Sequence, residues 1–103
     1  MNSEDALQIV ETIIPPGSLN QVKILVFRDA WEGKGYAEIA ETAGYDIDYI
    51  KGVASQLWKS LSPPLGAKVT KKNFRSLLIQ RFSDNTFVVK AAKSVHNNLR
   101  ISL

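Results

Sequence analysis

Between Tyr36 and Leu61 the apolar residues keep helical spacing on both sides of a single glycine, Gly44, and few folds accommodate that pattern. Before the glycine, Ile39 and Ala40 share an inward face while Glu38 and Glu41 remain in water. After it, Ile50, Val53, Ala54, Leu57 and Leu61 recur at i, i+3, i+4 and i+7, which gathers them into one buried stripe. Gly44 stands where the chain must reverse, a position that calls for positive φ. Asp46 follows at the right distance to accept the N–H of Asp48 or Tyr49 and cap what comes next. The segment therefore predicts a short helix over 36–42, a tight turn and a longer helix over 47–60.

The flanks predict more helices of similar size. Residues 3–14 place Leu7, Val10 and Ile14 on one face with Ala6, Ile9 and Ile13 beside them, and Ser3 is the expected cap. Pro15-Pro16-Gly17 stops that helix. Ser18 and Gln21 have capping-box spacing for a helix over 19–31, whose Val22, Leu25 and Val26 face one way and whose Ile24, Phe27 and Trp31 widen the apolar surface. Pro63-Pro64 is expected to break the chain again, leaving 65–69 as an extended connector. Thr70 is the expected cap of a helix over 71–82, with Phe74, Leu77, Leu78 and Phe82 inward. The remaining residues, 83–103, carry both strand and helix signals. The fold class is thus all-α, five to six short helices around a helix-turn-helix core, with residues 1–82 as the domain and 83–103 as a tail for packing or dimerisation.

Charge is distributed unevenly. Residues 1–50 carry three basic and nine acidic side chains, net −6, and residues 51–103 carry ten basic and one acidic, net +9. The sign changes inside the longer helix. A basic half can face a polyanion while the acidic half faces away. The absence of cysteine excludes disulfides and cysteine-ligated zinc. His96 is the only histidine and has no catalytic or metal-ligand constellation around it. Gly33-Lys34-Gly35 lacks the flanks of a phosphate-binding loop. No enzyme activity, metal or cofactor is expected. Acidic residues near the N-terminus do not suit a signal peptide, and no apolar run approaches the ~20 residues of a membrane span. A cytoplasmic protein without a membrane partner is the expectation.

The residues of the motif match a known pattern. A helix-turn-helix needs a small residue where two helices approach, here Ala40, a turn residue free of steric limits, here Gly44, and anchors for the second helix, here Ile50 and Leu57. The segment 19–61 resembles the four-helix LuxR-type DNA-binding domain and the related region-four domain of sigma factors. Tyr36-Ala37-Glu38-Ile39-Ala40-Glu41, then Gly44, Ile50 and Lys51, carry the likeness. Over residues 3–82 the chain is also similar to the N-terminal helix-turn-helix domains of large cyanobacterial signalling proteins that continue into NB-ARC ATPase or WD-repeat domains. The likeness implies a transcriptional regulator that binds double-stranded DNA and lays helix 47–60 in the major groove, and a homodimer is expected because one helix offers too few contacts for specificity.

The DNA-contacting set expected from this is Tyr49, Lys51, Ser55, Gln56 and Lys59 on the recognition helix, with Lys68, Lys71, Lys72 and Arg75 on phosphates. Asp48 opposes phosphate contact, and no arginine lies between Arg28 and Arg75, so the commonest guanine contact is missing from this helix. Gly52 weakens an exposed helix by ~1 kcal/mol relative to alanine, which calls for a packing or contact reason. A competing reading keeps the fold and makes Ile47, Tyr49 and Gly52 an apolar patch of a signalling adaptor whose partner is another protein.

Overall fold

The computed structural model describes residues 1–82, and the tail expectations for 83–103 lie outside the described residues. Four helices, α1 (Ser3–Ile13), α2 (Gln21–Trp31), α3 (Tyr36–Ala43) and α4 (Ile47–Leu65), lead into a fifth, α5, at residues 74–82. No strand occurs among the described residues. The all-α expectation is met.

Local chemistry sets the helix starts. Asn2 Oδ1 accepts the Asp5 N–H at 2.8 Å, and Asn20 Oδ1 accepts the Lys23 N–H at 2.8 Å. These asparagines replace the expected caps, Ser3 and Ser18. Each lies one or two residues from the serine, and an asparagine side chain caps equally well. Asp46 caps α4 as expected, its Oδ1 accepting the Asp48 N–H at 2.8 Å.

All five helices share one core. Val10, Val26, Phe27, Ile39, Ile50, Leu57, Leu61, Phe74 and Leu78 are its large, fully buried members among others. Phe74 of α5 sits among three other rings, with centroids 5.3 Å from Phe27, 5.8 Å from Trp31 and 4.5 Å from Trp58. Edge and tilted contacts of this kind add to the gain from burying the rings. The indole N–H of Trp58 donates to the Tyr36 hydroxyl at 2.9 Å, which fastens the start of α3 to the middle of α4. Helix α1 packs on α2 and α4 and adds an exposed pair, Arg28 to Glu4 at 2.6 Å. Surface pairs of this kind contribute little.

The double proline does not break α4. Pro63 and Pro64 lie inside its last turn, and the helix continues to Leu65. A proline costs a helix most in its interior, where it removes a hydrogen bond and crowds the previous turn. Here the carbonyls left without partners belong to Lys59, which is exposed, and Ser60, which is half-buried. Leu65 is fully buried, and Gly66 closes the turn at φ 66° with its N–H on the Pro63 carbonyl at 3.2 Å. Burial of Leu65 and this left-handed cap together outweigh the two lost bonds. The next helix also differs from expectation. Residues 71–73 form a turn and helical structure begins at 74, where the Phe74 N–H donates to the Thr70 carbonyl at 3.0 Å and the Asn73 Oδ1 accepts the Thr70 N–H at 2.7 Å.

Candidate functional site

The turn between α3 and α4 has the geometry its sequence requires. Gly44 adopts φ 78° and ψ 29°, and the Tyr45 N–H reaches back to the Ala40 carbonyl at 2.8 Å. This is the glycine-terminated helix end that satisfies carbonyls otherwise left open. Gly44, Tyr45 and Asp46 are the whole connection, so three residues separate α3 from α4. Ala40 is buried and lets the helices approach, and Ile50, Ala54, Leu57, Trp58 and Leu61 bind α4 to the core.

The opposite side of α4 is open. Asp48, Tyr49, Lys51, Gly52, Ser55, Gln56 and Lys59 are all exposed. This set contains every α4 residue expected to contact DNA, brought onto one side of one helix. Its first turn is unusual for an outer face. Tyr49 is 50% exposed, Tyr45 41% and Ile47 37%, and the two tyrosine rings lie 5.3 Å apart. Tyr45 and Ile47 are absent from the DNA-contacting set expected from the sequence, although Ile47 belongs to the apolar patch of the competing reading. Helical phase alone places Ile47 toward the core, and only its position at the helix start leaves it in water.

The remaining predicted cations lie beyond α4, Lys68, Lys71 and Lys72 in the loop before α5 and Arg75 in the first turn of α5. Lys68 and Lys72 are exposed. Lys71 is half-buried, with its Nζ 5.6 Å from the centre of the Tyr36 ring. Arg75 is engaged differently. Its Nη1 donates to the Trp31 carbonyl at 2.9 Å, at the C-terminal end of α2, and its guanidinium lies 5.2 Å from the Trp31 ring centre. A cation at that end of a helix is favoured by the dipole. No spacing rule in the sequence indicates this contact, because the partners are 44 residues apart.

The loop carrying the lysines is tied together by Asn73. Its Oδ1 accepts the Thr70 N–H at 2.7 Å, and its Nδ2 donates to the Lys68 carbonyl at 2.9 Å. Ser62 holds the other side, donating to the Trp58 carbonyl at 2.9 Å and accepting the Val69 N–H at 3.0 Å. Next to the loop, α3 is preceded by Gly35 at its cap position, whose lack of a side chain gives the first-turn N–H groups no side-chain acceptor. Among the described residues no acid occurs between Lys51 and Phe82, against seven cations.

Among the described residues, no cluster of histidine, cysteine, aspartate and glutamate could hold a metal ion. No helix there is long and apolar enough to cross a membrane. No curated protein and no solved structure matches the chain. Residues 1–81 match the family described as vWA-MoxR associated protein N-terminal HTH, where HTH denotes helix-turn-helix. The match covers α1 to α4, the turn at Gly44 and nearly all of α5, and the chain belongs to this family of helix-turn-helix domains.

Proposed function

We propose that the domain binds double-stranded DNA, with the outer face of α4 in the major groove and the lysines of the loop before α5 on the phosphate backbone. The observation that carries this reading is the open face of α4 in a helix-turn-helix: Lys51, Ser55, Gln56 and Lys59 project from a helix anchored on its other side. A helix presented this way fits the major groove, and its polar side chains reach base edges or phosphates. The likeness of residues 19–61 to LuxR-type and sigma region-four domains points the same way. Lys68, Lys71 and Lys72, of which Lys71 lies over Tyr36 at the start of α3, supply the charge that non-specific DNA affinity needs. Arg75 supports the fold through Trp31 and is secondary in this reading. A regulator of transcription acting as a dimer is the simplest biological setting, because one recognition helix offers few contacts for specificity.

The test is a salt series. If about four lysines neutralise phosphates, the plot of log K against log salt has a slope near −3.6, so binding weakens roughly 100- to 200-fold between 50 and 200 mM. Lys68→Glu with Lys72→Glu should abolish low-salt binding without unfolding the domain. The absence of any complex with duplex DNA at low salt rejects the proposal. In that case Tyr45, Ile47 and Tyr49 become a candidate contact surface for a protein partner, and binding to it should tolerate salt and fail on Tyr49→Ala.

A further inference from the structure

Gly52 is the residue of α4 that the fold does not explain. It lies in the interior of a 19-residue helix, away from both ends, and it is exposed. A Cβ added there would meet nothing within 4 Å, and its φ is not in the left-handed region. Nothing inside the chain therefore requires a glycine, although glycine is disfavoured in a helix relative to alanine. The four positions around it on the helix surface, Asp48, Tyr49, Ser55 and Gln56, are all exposed. Gly52 is thus the floor of a shallow dip on the outer face, and the dip admits an object that approaches the helix backbone from outside.

The chemistry at the edge of the dip identifies that object. Tyr49 is 50% exposed about one turn before Gly52 on the same face, its ring 5.3 Å from that of Tyr45, with Ile47 also exposed at the same end of the helix. No arginine occurs in α4, so the commonest guanine contact is missing from this helix. The apolar group that a major groove offers is the 5-methyl of thymine. We infer that α4 recognises thymine methyl groups, which enter the dip at Gly52 and pack on the Tyr49 ring. The inference rests on the duplex-DNA reading and states what that reading selects.

Three labelled duplexes of equal length test it by fluorescence anisotropy at low salt: alternating dA–dT, alternating dA–dU, and alternating dG–dC. Uracil removes the methyl and keeps every hydrogen-bonding group. Each methyl lost from the contact should weaken binding about three- to fivefold. Tyr49→Ala, at an exposed position, should bring the dT-to-dU ratio close to one. Gly52→Ala should raise the melting temperature by about 4–8 °C and still weaken dA–dT binding. A stabilised protein that binds less well separates contact from folding. Equal binding of dA–dT and dA–dU overturns the inference and leaves the DNA reading standing. A Gly52→Ala protein that binds like the wild type also overturns it. Binding to none of the three duplexes removes both.

Discussion

Replacing Phe74 by alanine should be the most damaging single change in the domain. The side chain is 1% exposed and meets the rings of Phe27, Trp31 and Trp58. Truncating a buried phenylalanine costs about 3–5 kcal/mol, transfer and cavity terms together. The three ring contacts argue for the upper part of that range, because a T-shaped or offset pair adds about 0.5–1.5 kcal/mol beyond its area. The neighbours cannot collapse easily into the gap, since Trp58 is also held by the Tyr36 hydroxyl. Natural domains are stable by about 5–15 kcal/mol, so the variant would be left near its threshold. Urea denaturation followed by tryptophan fluorescence is the appropriate assay, because both tryptophans adjoin Phe74. With a urea m-value of about 1.5 kcal/mol/M, the midpoint should fall by roughly 2–3 M. Phe74→Leu, which keeps most of the volume, should lose much less. A loss below about 1 kcal/mol for the alanine variant would refute the view that Phe74 joins α2, α4 and α5.

Two further changes probe the turn and the end of α2. Gly44→Val forces a β-branched residue to φ 78° and should cost about 1–2 kcal/mol in a thermal melt, whereas Gly44→Asn should be milder. Arg75→Met keeps the aliphatic stem but removes the hydrogen bond to the Trp31 carbonyl and the contact with its ring. The expected loss is about 1 kcal/mol in urea denaturation, at the low end because the side chain is exposed. An unchanged midpoint would show that the contact is not held in solution.

The centre of the fold is legible in the sequence because its determinants are local. Ile39, Ala40, Gly44, Asp46, Ile50 and Leu57 each act within a few residues of their own position, and each takes its expected place. The double proline is the clearest counterexample. Pro63-Pro64 reads as a break because the compensation is tertiary: Leu65 is driven into a core built by other helices. Neighbouring caps compete, and Asn2 and Asn20 prevail over nearby serines by geometry that spacing does not distinguish. The outer face of α4 follows from helical phase, so its contact candidates emerge together. The loop before α5 does not follow from phase. Nothing near Lys71 or Arg75 in the sequence indicates that one lies on Tyr36 and the other reaches Trp31.

The bonds made by Asn73 have an entropic consequence. Lys68, Lys71 and Lys72 would otherwise sit on a flexible connector, and fixing each backbone position costs about 1–2 kcal/mol. The amide of Asn73 closes the loop onto Thr70 and Lys68, and Ser62 secures Val69 to α4, so that ordering is already complete once the domain folds. A polyanion arriving at this loop needs to immobilise only the lysine side chains, at about 0.5–1.5 kcal/mol each. One uncharged residue thus presets the spacing of three charges relative to α4. Weakening that clasp would reduce affinity without changing the net charge of the surface.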